Sequence, residues 1–104
     1  MNVAIARRAE LMPTQSLRYI VKYEGRVQGV GFRFTALGQS RGLDVHGFVK
    51  NEPDGSVLMD VEGRAADVKE LLARIESEMR SNIEAVGLDP RTPIGRTDGF
   101  KIEH

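Results

Sequence analysis

The stretch Leu17–Arg33, LRYIVKYEGRVQGVGFR, changes character twice, and the order of those changes decides how the rest of the chain is read. From Leu17 to Tyr23 apolar side chains fall at every second position (Leu17, Tyr19, Val21, Tyr23) and mostly alternate with the charges of Arg18, Lys22 and Glu24. That is the period of a strand with one buried face. Gly25 to Gly31 then carries three glycines, which end the strand and allow positive φ angles. Beyond them Phe32, Ala36 and Leu43 lie near one helical face with Leu37 beside them, so a helix is expected from Phe32 to Arg41. Gly38 and Gly42 weaken it by roughly 1 kcal/mol each where they are interior.

Working outward, Val45–Lys50 reads as a second strand and Ser56–Glu62 as a third. In the third, Val57, Met59 and Val61 share one face, and Asp60 and Glu62 on the other are expected to be solvated charge. Between the two strands Asn51-Glu52-Pro53-Asp54-Gly55 has hairpin chemistry, with Asp54-Gly55 suited to the turn. A second helix follows from Val68, Leu71, Leu72, Ile75 and Met79, spaced by three and four, with Asp67 early and Arg80 late to suit the helix dipole. Ile83–Leu88 is a weaker strand, Asp89–Gly99 a proline- and glycine-marked loop, and Phe100–Glu103 a short last strand. The element order predicts an α+β fold, the ferredoxin-like βαββαβ sandwich, with an antiparallel sheet and two helices on one of its faces.

A chain of 104 residues, 40% hydrophobic and 29% charged, has the size and composition of one domain that folds alone. Residues 17–104 are assigned to it, and residues 1–16 to a flexible N-terminal tail with room for a short helix over Val3–Met12 ahead of Pro13. Fifteen Lys and Arg balance fifteen Asp and Glu, so no long-range field gathers nucleic acid or anionic membrane, and an anion site must be local. Cysteine is absent, which removes disulfides, thiolate metal ligands and a cysteine nucleophile, and points to the cytoplasm. Neither a signal core nor a membrane-length apolar span is present. His46 beside Gly47 reads as a surface or packing residue; with His104 it makes no metal site, and no cofactor is expected.

The loop between first strand and first helix is where backbone N–H groups can converge, reinforced by the helix N-terminus, into a phosphate cradle. It is no nucleotide P-loop, because no Gly-Lys-Ser/Thr closes it, and its glycine spacing is not that of a dinucleotide fingerprint. Arg33, one position into the helix, can aim its planar fork at two oxygens of the bound anion. On these residues alone a plain tight turn with a solvated arginine stands beside the cradle reading. A paired-aromatic RNA platform is not supported, since Ser56–Val61 carries no aromatic residue and no basic face. A noncatalytic ferredoxin-like module that binds phosphorylated ligands is the alternative from another class.

Gly25-Arg26-Val27-Gln28-Gly29-Val30-Gly31-Phe32-Arg33, followed by Gly47-Phe48-Val49-Lys50-Asn51 and Asp54-Gly55, closely resembles the two sequence motifs of the acylphosphatase family. The resemblance is strong from Tyr19 to Gly63 and weaker from Ala65 onward. It implies a hydrolase that splits the carboxyl–phosphate bond of small acyl phosphates without a metal; the small size and neutral charge of the domain suit a monomer. It further implies that Arg33 binds the phosphoryl group, that Asn51 positions the attacking water, and that loop amides from Gln28 through Gly29, Val30 and Gly31 to Phe32 cradle the phosphate. The sequence departs from the family's pattern at Asp44, where glycine is frequent and a left-handed turn would be strained, at Phe48, where tryptophan is common, and at Gly31, a variable position. Glu52 replaces a small polar residue beside Asn51, where its charge is expected to repel anionic substrate.

Overall fold

The alternation that begins at Leu17 becomes strand β1 (Ser16–Gly25) in the computed structural model, which describes residues 15–104. It is followed by α1 (Phe32–Gln39), β2 (Val45–Asn51), β3 (Val57–Arg64), α2 (Ala65–Glu78), β4 (Ile83–Arg91) and β5 (Phe100–Glu103). The expected helix over Val3–Met12 lies outside the described residues. The strands form one sheet in the order β4-β1-β3-β2-β5. Val21 and Tyr23 of β1, Val45 and Val49 of β2, and Val57, Met59 and Val61 of β3 are buried on one face against Phe32 and Ala36 of α1 and Val68, Leu71, Leu72, Ile75 and Met79 of α2. A one-residue slip of β3 would take Val57, Met59 and Val61 out of this core and put Asp60 and Glu62 into it, at about 1.5–3 kcal/mol for each large apolar side chain lost, so this row fixes the register.

β1 pairs antiparallel with β3 and β4, and β2 antiparallel with β3, as the hairpin chemistry demands. The sheet is antiparallel, as expected, except at β5, which runs parallel to β2. The reason is topological. β4 and β5 occupy opposite edges, so the chain leaving β4 crosses the sheet and turns back, which gives β5 the direction of β2.

The ends of α1 and β4 differ from the sequence reading. α1 stops at Gln39 rather than Arg41, because the Arg41 and Leu43 N–H groups donate only three residues back, to Gly38 O (3.3 Å) and Ser40 O (3.1 Å), the Ser40 hydroxyl donates to Leu37 O (2.6 Å), and Gly42 takes φ +80°. The left-handed residue is thus Gly42, and among the described residues no other side chain than glycine has positive φ. Asp44 is therefore unstrained, and its N–H donates to Asp67 Oδ2 of α2 at 2.9 Å. β4 continues past Leu88 through Pro90, opposite Tyr19, to Arg91. Proline is tolerated there because β4 is an edge strand, with no partner on its outer side among the described residues.

The larger correction concerns Asp60 and Glu62, which are buried, at 5% and 3% exposure, rather than solvated. The segment Thr92–Gly99 crosses the helix-free face of the sheet and covers them. Arg18 holds Asp60 with a two-pronged fork (Nε to Oδ1 3.0 Å, Nη2 to Oδ2 2.8 Å), and Arg96 holds it from the crossing segment with a second (Nη1 to Oδ1 2.9 Å, Nη2 to Oδ2 3.2 Å). Glu62 Oε2 accepts the N–H groups of Ile94 (3.1 Å) and Gly95 (3.0 Å), and its Oε1 meets Arg96 Nη1 at 3.2 Å. Two guanidinium groups balance two carboxylates, so no uncompensated charge is buried.

Candidate active site

The loop between β1 and α1 is fixed at both shoulders and open at its tip. On one side Arg26 and Asn82 exchange hydrogen bonds, Arg26 N–H to Asn82 O at 2.9 Å and Asn82 Nδ2 to Arg26 O at 3.0 Å. Val27 is buried and plugs the loop onto the core. On the other side the Gln28 side-chain amide donates to the backbone carbonyls of Glu52 (2.7 Å) and Ser56 (2.8 Å), which lie at the two feet of the β2–β3 hairpin. The sequence reading gave Gln28 only a backbone amide in the cradle; its side-chain tie to the hairpin was missed, because the partners are main-chain oxygens that no residue type announces.

Between these shoulders Gly29 and Gly31 adopt φ +74° and +77°, and Gly31 is the N-cap of α1. The conformation turns the chain sharply without a side-chain cap, so the first N–H groups of α1 point outward. The backbone N–H groups of Gln28, Gly29, Val30, Gly31 and Phe32 find no acceptor among the described residues. Gly29, Val30 and Gly31 are exposed, whereas the Phe32 ring is buried against Tyr23 with ring centroids 4.8 Å apart. The loop thus presents a run of unused donors on a rigid base. That is a feature able to receive an anion.

Arg33 is half-buried on α1 and directs Nη1 to the backbone carbonyl of Glu103, at 3.3 Å, with His104 Nδ1 at 3.5 Å. The carbonyl is a neutral acceptor, so the guanidinium keeps its full charge and most of its five N–H donors for another group. Asn51 closes β2, opposite Val57. It continues the row of Val45, Gly47 and Val49, so it projects on the side of the sheet that carries the helices. Its side chain is exposed, with no hydrogen-bond partner among the described residues. Gln28 is what brings the two sequence motifs together, since its amide spans from the glycine loop to Glu52, the residue after Asn51.

The hairpin itself is braced. Asp54 Oδ1 accepts the Ser56 N–H (2.9 Å) and hydroxyl (2.6 Å), and Lys22 Nζ lies 3.1 Å from Asp54 Oδ2. These hydrogen bonds to Ser56, aided by Lys22, hold the Asp54 carboxyl well below its usual range. His46 is a packing residue on the far side of β2: Nδ1 accepts the Gly99 N–H at 2.9 Å and Nε2 faces Asp44 Oδ1 at 2.9 Å. Among the described residues no three His, Asp or Glu side chains gather as a metal site, and no helix is long and apolar enough to cross a membrane.

The family model for acylphosphatase matches residues 19–102. The acylphosphatase of Thermococcus kodakarensis is 45% identical over 87 residues, covering 83% of this chain and 94% of that protein. That of Salinibacter ruber is 36% identical over 86 residues, covering 82% and 90%. The crystal structure of an acylphosphatase from Bacillus subtilis superposes with a TM-score of 0.74 at 24% identity, covering 85% of this chain and 99% of that one, and shares the fold. The match spans both motifs, the glycine loop with Arg33 and the hairpin with Asn51, and the chain belongs to the acylphosphatase family.

Proposed function

We propose that the protein hydrolyses the carboxyl–phosphate bond of small acyl phosphates, releasing a carboxylate and inorganic phosphate. The observation that carries this reading is the Gln28 tie, which couples a loop of unused backbone donors to the strand end that bears Asn51. In it, the amides from Gln28 to Phe32 and the fork of Arg33 bind the phosphoryl oxygens, and the exposed Asn51 amide orients a water opposite the leaving group. The water oxygen bonds to phosphorus as the bond from phosphorus to the acyl oxygen breaks, and the electron pair departs with the carboxylate. Carboxylic acids have pKa values of about 4, so this leaving group departs unprotonated at neutral pH and needs no general acid. An amide cannot take the proton of the attacking water; a phosphoryl oxygen of the substrate accepts it. The remaining demand on the protein is alignment and donors to the phosphoryl oxygens, which these residues supply. All of them belong to one chain, so a monomer suffices.

The test is release of benzoate and phosphate from benzoyl phosphate by wild type and Asn51→Ala, in the presence of chelator and with a phosphate monoester as control. Wild type is expected to turn over benzoyl phosphate and not the ester, whose alkoxide does need a proton. Asn51→Ala is expected to lose roughly a hundredfold in kcat. Phosphate binding without turnover by wild type would leave a noncatalytic phosphate-binding module. An active Asn51→Ala would remove the water-orienting role alone.

A further inference from the structure

Arg96 lies on the opposite face of the sheet from the glycine loop, yet the chain connects it to Arg33 by a short route through β5. From β4 to β5 is four strand spacings of about 4.8 Å, or roughly 19 Å before any rise over side chains. The eight residues Thr92–Gly99 that make the crossing reach about 30 Å at most when fully extended. The span is well within that reach, so the path is set by where the segment is pinned. The segment is pinned midway, where Arg96 grips Asp60 and Glu62 and stacks over the Phe48 ring at 5.8 Å, and again at its end, where Gly99 donates to His46 and its carbonyl accepts the Gly47 N–H at 3.0 Å. β5 then runs four residues, pairs among the described residues only with β2, and ends at the Glu103 carbonyl that receives Arg33.

We infer that Arg96 is a positioning residue for Arg33: its grip on the buried pair Asp60 and Glu62 anchors the crossing segment, sets where β5 ends, and so places the guanidinium that meets the phosphoryl group. The inference rests on the reading of Arg33 as the phosphoryl-binding arginine. An edge strand this short has few hydrogen bonds of its own, and releasing the crossing segment lets β5 shift along β2, taking the Glu103 carbonyl with it.

The experiment measures binding of inorganic phosphate, by calorimetric titration, to wild type, Arg96→Met, Arg33→Ala and the double variant, with benzoyl phosphate turnover alongside. Arg96→Met leaves Asp60 its fork from Arg18 and Glu62 its two backbone donors, so the fold persists. A second variant, two glycines inserted between the exposed Thr97 and Asp98, lengthens the same arm without removing any charge. Both are expected to weaken phosphate binding about three- to tenfold when Arg33 is present, and to change nothing further in the Arg33→Ala background. Phosphate binding equal to wild type, or weakened equally without Arg33, overturns the inference. Failure of wild type to turn over benzoyl phosphate would sink the proposed activity but not this coupling, which the phosphate titrations decide by themselves.

Discussion

The Gln28 side-chain nitrogen sits 2.8 Å from the Ser56 carbonyl oxygen, and its second proton goes to Glu52 O at 2.7 Å. Both amide protons are committed, and both acceptors are main-chain groups of the hairpin that carries Asn51. Gln28→Ala deletes the two bonds and is expected to lower stability by about 1–3 kcal/mol. Gln28→Glu is nearly isosteric but turns a carboxylate toward two carbonyl oxygens, so it should be the less stable of the two. Both should lose tenfold or more in kcat/KM, since the loop and Asn51 are no longer held to one another. Urea unfolding and benzoyl phosphate kinetics on both variants check this; a glutamate variant as stable and active as wild type would show that the tie is incidental.

Asp60 gives the protein an acid-labile clasp. Burial opposes its ionisation, but the forks of Arg18 and Arg96 outweigh that and hold its pKa below the usual carboxylate value. A folded-state pKa below the unfolded one means that the contribution is complete above the unfolded value of about 4 and is lost as pH falls through the folded value. Asp60→Asn removes this dependence. It is expected to be less stable than wild type at pH 7, with the difference shrinking below about pH 4. Equilibrium unfolding from pH 2 to 7 reads this, and a pH-independent difference would contradict it.

Two glycines should respond to alanine with opposite signs. Gly38 lies within α1, outside the positive-φ region, and a methyl added there meets nothing. Gly38→Ala is expected to stabilise by about 0.5–1 kcal/mol, the difference in helix propensity. Gly47, at φ +131°, abuts the backbone of β3, so that an added methyl would overlap the Asp60 carbonyl. Gly47→Ala must push β2 away from β3 just where Asp60 is gripped, and a loss of about 3 kcal/mol or more is expected. Thermal unfolding of the pair checks the contrast.

What the sequence discloses and what it hides divide along physical lines. Period-two alternation in Leu17–Tyr23 and the Asp54-Gly55 turn are local signals, and the strand and hairpin they predict are those of the fold. The positive φ angles at Gly29 and Gly31 are likewise foreshadowed by the glycines themselves. The burial of Asp60 and Glu62 is not local: alternation assigns them to the second face of β3, and only the crossing of that face by Thr92–Gly99 makes it an interior. Pro90 is similar, reading as a breaker until the strand that contains it proves to be an edge. The candidate residues Arg33 and Asn51 are legible as types at telling positions, whereas the Gln28 link from the glycine loop to the hairpin depends on a tertiary approach that spacing cannot encode.

Tyr23 carries the last expectation. Its ring is buried against Phe32, and its hydroxyl, fully enclosed, has no hydrogen-bond partner among the described residues. Burial, with the charge of Glu76 in addition, raises its pKa well above the ordinary value of 10. The hydroxyl loses its water on folding and receives nothing in return, a cost of about 1–3 kcal/mol, so Tyr23→Phe should stabilise the fold by a good part of that with turnover unchanged. Because the folded-state pKa is raised, stability does not vary with the titration of this group below the unfolded value of about 10, and falls as pH rises from there through the folded value. Tyr23→Phe should therefore also withstand alkali better than wild type. Urea unfolding at pH 7 and pH 11 reads both effects; a variant less stable than wild type at pH 7 would mean that the hydroxyl is satisfied after all, by a water bound within the core.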